Sequence, residues 1–134
     1  MIEYESQFKT LVVDLLDKCG YDYTTEASPT GMNSYADIHL TEYDTMIELK
    51  VRGDQRKGIG QCLEYDDYCE NALLLVPKEN INMDIAKVAV NSDIGYGILN
   101  VDNNDLHLTA PYEFVIDPAA RRGEFNIRVG RLVV

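Results

Sequence analysis

Apolar residues recur at Tyr4, Phe8, Leu11, Val12 and Leu15, spaced i, i+4, i+7, i+8 and i+11, which predicts a helix over 2–19 with one apolar stripe. Gly20 follows where a left-handed C-terminal residue belongs. The period then shortens. Residues 21–25 are rich in strand formers, and Ser28-Pro29-Thr30-Gly31 reads as a loop. Two short strands are expected over 35–41 and 45–52, around Glu42-Tyr43-Asp44. Gly53-Asp54 breaks the pattern, with Asp54 the expected N-cap of a helix over 55–70. Residues 73–76 form an aliphatic run that predicts a buried strand stopped by Pro77, and Ile81, Ile85 and Val88 mark a second short helix. Strand patterning returns over 97–101, 106–110, 112–116 and 125–134, with turns at Asn103-Asn104 and Asp117-Pro118. The order α-β-β-β-α-β, then a helix and more strands, predicts an α/β fold in which one mixed sheet is flanked by helices.

At 134 residues and 46% hydrophobic content, with no repeat or linker, the chain suits a single domain over 1–134 with a buried core. No apolar run approaches the roughly 18 residues of a membrane span. Residues 1–5 lack the basic and apolar regions of a signal peptide, so an intracellular (cytoplasmic) protein with no membrane partner is expected. Three cysteines (Cys19, Cys62, Cys69), with no CxxC pair, point to reduced thiols rather than a disulfide frame or zinc ribbon.

Candidate chemistry lies in Asp37, in Glu48-Leu49-Lys50, and in Gln61 and Tyr65 on the following helix. Glu48 and Lys50 project from one side of their strand, opposite Ile47 and Leu49. Asp37 joins them only if the two strands pair with residue numbers of odd sum, which requires a connection of even length or a bulge. Pairing Thr41 with Thr45 would point the carboxylates apart. In the odd registers two hard oxygen donors, with the Leu49 carbonyl, could share Mg²⁺ or Mn²⁺. Such an ion would polarise a phosphodiester and activate water, with Lys50 positioning the nucleophile or meeting the developing charge. An isolated Glu-x-Lys in a strand otherwise signals only solvent-facing alternation.

Net charge modifies this picture. At −11 the chain is a poor general ligand for phosphate, so nucleic-acid binding requires a locally basic face. Arg52, Arg56 and Lys57, next to Lys50, form one such cluster; Arg121, Arg122, Arg128 and Arg131 form another. Either can also be solvated surface charge.

Taken together, Asp37, Glu48-Leu49-Lys50 and Gln61 resemble the PD-(D/E)XK nuclease superfamily, and Gln61-Cys62-Leu63-Glu64-Tyr65 resembles the Gln-x-x-x-Tyr motif of its RecB-like members. Archaeal Holliday junction resolvases belong to the same group. The resemblance covers residues 2 to about 77 and implies a restriction-endonuclease-like core, leaving 78–134 as an elaboration available for a dimer or substrate surface. It implies a metal-dependent deoxyribonuclease in which Asp37 and Glu48 bind Mg²⁺ or Mn²⁺. Lys50 would assist the nucleophile, and Gln61 and Tyr65 would support the site and contact DNA. Glu5, on the edge of the first helix's apolar arc, is the best match for an additional family glutamate; the bland alternative is a carboxylate favouring the helix dipole. Ala36 stands where the family has proline, and no histidine lies upstream of Asp37. The clustered cysteines of iron–sulfur relatives are missing, so no cluster is expected, and His39 and His107 read as ordinary strand residues. The bare core suits a structure-specific endonuclease, including a resolvase-type homodimer, although small resolvases are usually basic. The alternative from another class is a catalytically silent domain whose acidic surface binds a protein.

Overall fold

The computed structural model describes residues 2–28, 31, 35–100, 105–109, 112–116 and 126–129; of these, the side chains of Cys19, Val90, Asn100 and everything beyond 100 are not described. The elements are α1 (Glu5–Cys19), β1 (Tyr23–Ala27), β2 (Ala36–Leu40), β3 (Thr45–Leu49), α2 (Gln55–Tyr65), β4 (Asn71–Pro77), α3 (Met83–Asn91), β5 (Gly95–Asn100), β6 (Asp105–Thr109), β7 (Tyr112–Ile116) and β8 (Asn126–Val129). The expected α-β-β-β-α-β order is therefore present, as an α+β fold with one mixed sheet and three α-helices among the described residues. Among the described residues, no helix is long and apolar enough to cross a membrane. The turns expected at 103–104 and 117–118 lie outside the described residues.

The strands line up in chain order from β1 to β8. β1, β2 and β3 form an antiparallel meander. β4 lies parallel to β3 and β5 parallel to β4, because α2 and α3 carry the chain back across the sheet. The later strands continue antiparallel.

Helices cover both faces. On one, Phe8, Val12, Leu15 and Leu16 of α1 pack on Ile38, Leu40, Ile47, Leu49, Leu73, Leu75 and Leu99. On the other, Ile59, Cys62 and Tyr65 of α2 and Ile85 and Ala89 of α3 pack on Met46, Ala72, Leu74, Val76 and Tyr96. Strands buried on both sides read as continuous apolar runs, which explains residues 72–76.

Several local expectations are corrected. The α1 stripe is Phe8, Val12, Leu15 and Leu16; Tyr4 and Leu11 are exposed. Tyr4 precedes the helix, where its backbone N–H donates to Gln7 Oε1 at 3.2 Å, and Gly20 ends the helix at φ 73° as expected. Asp54 precedes α2, but its side chain makes no cap. It adopts φ 60°, and Gln55 Nε2 instead donates to the carbonyls of Val51 and Asn80. The helix expected over 55–70 ends at Tyr65 and runs into a 3-10 turn at Asp66–Tyr68. Ile81 lies outside α3 and is exposed. Ala36, placed by alternation with Ile38 and Leu40, belongs to the opposite cluster. Its neighbour across the ladder follows Glu26, held at φ 52°, and a left-handed residue within a strand re-aims side chains as a bulge does.

Candidate functional site

Strand register decides whether the site forms. β2 and β3 pair Ile38 with Ile47, His39 with Met46 and Leu40 with Thr45, an odd-sum register across the four-residue connection 41–44. The next step along that register sets Asp37 against Glu48. Beyond Ile38–Ile47 the ladder stops, and the Leu49 N–H donates to Asp37 Oδ2 at 2.8 Å. A carboxylate thus takes the place of a backbone carbonyl where the strands part. His39, on the same strand, points elsewhere: its Nε2 pairs with Asp44 Oδ1 at 2.8 Å.

Glu48 and Lys50 face α2, so they are buried rather than solvent-facing, at 3% and 6% exposure. The helix comes close enough to cover them because residue 58 is glycine. A Cβ there would stand 2.7 Å from Leu74 Cδ1 and 3.0 Å from Lys50 Cγ. The aliphatic stem of Lys50 therefore runs beneath α2. Its ammonium lies 3.4 Å from Glu48 Oε1 and 3.6 Å from Glu5 Oε1. Burial would lower the Lys50 pKa, but Glu48, and after it Glu5, more than offset this, and the value rises.

Glu48 is the perturbed acid. Burial first, and then the neighbouring Asp37, push its pKa up to about 7, against the opposing pulls of Tyr65 and Lys50. Tyr65, fully buried, places its hydroxyl 2.8 Å from Glu48 Oε2 and 2.8 Å from the Tyr35 carbonyl. A hydroxyl has one proton, so it cannot donate to both at once. Donation to Glu48 favours its charged form, so burial and Asp37, not Tyr65, hold this acid towards neutral. The Tyr65 pKa is also raised, by burial and then by Glu48.

The expected residues are brought together to different degrees. Asp37, Glu48, Lys50 and Tyr65 form one connected cluster, and Glu5 reaches it through Lys50 rather than at the two acids. Leu49 contributes its N–H to Asp37. Gln61 lies one helical turn before Tyr65, and its Oε1 is buried with no hydrogen-bond partner among the described residues. Arg52, Arg56 and Lys57 are exposed just after β3 and in the first turn of α2. Arg121, Arg122 and Arg131 lie outside the described residues, and the Arg128 side chain is not described. Two contributors carried no sequence signal as such: Gly58, which sets the helix-to-lysine distance, and the Tyr35 carbonyl. A glycine in the middle of a helix is the trace that could have exposed the first.

Among the described residues no group of three or more His, Cys, Asp or Glu side chains is arranged to hold a metal ion. The donors available to a cation are the two carboxylates of Asp37 and Glu48. Hard oxygens of this kind suit Mg²⁺ or Mn²⁺, which ordinarily keep several waters. The raised Glu48 pKa also fits, since a pair of acids held together without full neutralisation leaves room for further positive charge.

Compared with protein-family models, curated proteins and solved structures, the chain matches none.

Proposed function

We propose that this protein is a metal-dependent nuclease of the PD-(D/E)XK kind, hydrolysing phosphodiester bonds in DNA. The observation that carries this reading is the meeting of Asp37 and the buried Glu48 in one register, with the Lys50 ammonium 3.4 Å from Glu48. A solvent-facing Glu-x-Lys needs no such burial. Perturbed acids beside a positioned cation are typical of sites that do chemistry.

In this reading Asp37 and Glu48 hold Mg²⁺ or Mn²⁺, which polarises the scissile phosphate and supplies activated water when bound. Lys50 places a fixed positive charge where negative charge develops. Glu5 steadies that ammonium at 3.6 Å. Tyr65 orients Glu48, and Gln61 adds an amide along the same helix face. Arg52, Arg56 and Lys57 offer phosphate contacts close to the site. Homodimerisation in the manner of a junction resolvase belongs to the same proposal, with the late strands as the surface available for it.

The test is a panel of labelled linear, flapped, single-stranded and four-way DNAs incubated with Mg²⁺ or Mn²⁺. Cleavage by the wild type, abolished in Asp37→Ala, Glu48→Ala and Lys50→Ala proteins that remain folded, supports the reading. Cleavage undiminished in Glu48→Ala refutes it. The net charge of −11 favours a second reading, a silent acidic protein-binding domain. That reading requires no cleavage and no Asp37-dependent metal binding.

A further inference from the structure

Two large, solvent-exposed aromatic side chains belong to residues tied to the acid–lysine cluster. Tyr4 is 63% exposed and immediately precedes Glu5, whose carboxylate lies 3.6 Å from the Lys50 ammonium. Tyr35 is 66% exposed, and its carbonyl is joined through the Tyr65 hydroxyl to Glu48 Oε2, two contacts of 2.8 Å. A scattered surface tyrosine needs no explanation. These two are distinguished by their links to the site, Tyr4 through its neighbour Glu5 and Tyr35 through its own carbonyl.

Both rings also spring from pinned backbone. The Tyr4 N–H donates to Gln7 Oε1, and its carbonyl accepts from the Phe8 N–H at 3.2 Å. Tyr35 is tethered at its carbonyl by Tyr65. A tyrosine on fixed backbone has only two rotatable bonds to order, so it offers a large flat surface at small entropic cost.

The charge balance decides what such surfaces can receive. With 23 acidic against 12 basic side chains, the protein has few cations with which to track the phosphates of a long duplex. Base stacking on an aromatic ring does not depend on protein charge and strengthens binding about 5- to 100-fold per base. In a duplex the base faces are already occupied by their neighbours, and only unpaired bases are free to stack on a side chain.

We propose, building on the nuclease reading, that Tyr4 and Tyr35 are stacking platforms flanking the scissile phosphate and that the substrate is DNA with unpaired bases there. Single strands and single-stranded branches qualify; continuous duplex does not. Tyr4 and Tyr35 thus set specificity, whereas the acids and Lys50 serve the bond-breaking itself.

Binding can be read apart from cleavage. Fluorescence anisotropy in EDTA would compare a labelled oligo(dT) of about 16 nucleotides with a hairpin duplex of similar length. The expected result is binding of the single strand about tenfold or more tighter than the duplex. Tyr4→Leu and Tyr35→Leu should each weaken it by about 5- to 100-fold, while Tyr4→Phe and Tyr35→Phe stay within about twofold. Thermal melting should be unchanged in all four variants, since both rings are exposed. Equal affinity for duplex and single strand, or leucine variants that bind like the wild type, overturns the stacking proposal. Glu48-dependent cleavage that ignores both leucine substitutions overturns it while leaving the nuclease reading intact. Tyrosine-dependent binding with no cleavage under any divalent metal supports the platforms and overturns the nuclease reading.

Discussion

Replacing Glu48 by glutamine should make the protein more tolerant of high pH. Glu48 is almost wholly buried, and burial beside Asp37 raises its pKa from 4.5 to about 7. The unfolded chain loses this proton near 4.5, so above that pH the folded state retains a proton that the unfolded state has released. Stability due to the protonated acid is therefore fully present below pH 4.5 and declines as pH rises. The decline ends once the folded-state pKa near 7 has been passed. At about 1.4 kcal/mol per pH unit, the loss across this window is about 3 kcal/mol. Glutamine copies the neutral acid and cannot ionise, so Glu48→Gln should lack this segment of the pH dependence. Weaker contact with Lys50 adds an offset that is nearly constant over the same range. Urea unfolding of both proteins at half-unit steps from about pH 4 to 8.5 measures the difference directly. The wild type should lose about 3 kcal/mol relative to the variant as pH rises from 4.5 to 7, and nothing more above that. A difference that stays flat, or that moves in the wild type's favour with pH, would refute the argument that this acid is buried against its charge.

Tyr65→Phe deletes the hydroxyl that Glu48 and the Tyr35 carbonyl share, and should cost about 1–3 kcal/mol in urea unfolding near neutral pH. Gly58→Ala forces a methyl against Leu74 and the Lys50 stem, so it should lower stability by about 1–3 kcal/mol and reduce any cleavage activity. Tyr96→Phe removes a donor to Gln55 Oε1 and an acceptor for the Asn82 N–H. It should cost about 1–2 kcal/mol by thermal melting, yet leave the Glu48-linked pH dependence unchanged, because that network lies at the start of α2 and away from the acids.

Much of the fold was legible because periodicity reports directly on burial. The α1 stripe, the left-handed Gly20 and the aliphatic β4 run each carry their signal within a few residues. The register of β2 against β3 was narrowed to a parity by the requirement that Asp37 meet Glu48, and the even connection supplies it. What escaped depends on contacts distant in sequence. Both sheet faces are covered, so the polar side of β3 is buried; alternation alone marks a face as polar and cannot say that a helix will later lie across it. Asp54 has the composition of an N-cap, but the chain turns there through a left-handed conformation and Gln55 takes up the loose carbonyls. The link from Tyr65 to Glu48 crosses from helix to strand, and neither residue announces the other. The role of Gly58 depends on the lysine beneath it. Glu5 meets the Lys50 ammonium at 3.6 Å, a contact that helical spacing does not specify.

In the proposed function, Asp37 and Glu48 form one cation-binding pair. Calorimetric titration of Mn²⁺ into the wild type and into Asp37→Ala, near pH 7 in buffers of different ionisation enthalpy, tests that pairing most directly. Saturable binding is predicted for the wild type, with release of part of a proton as Glu48 is driven to its charged form, and loss of both signals in the variant. An isotherm identical in the two proteins, or no binding heat in either, would contradict it.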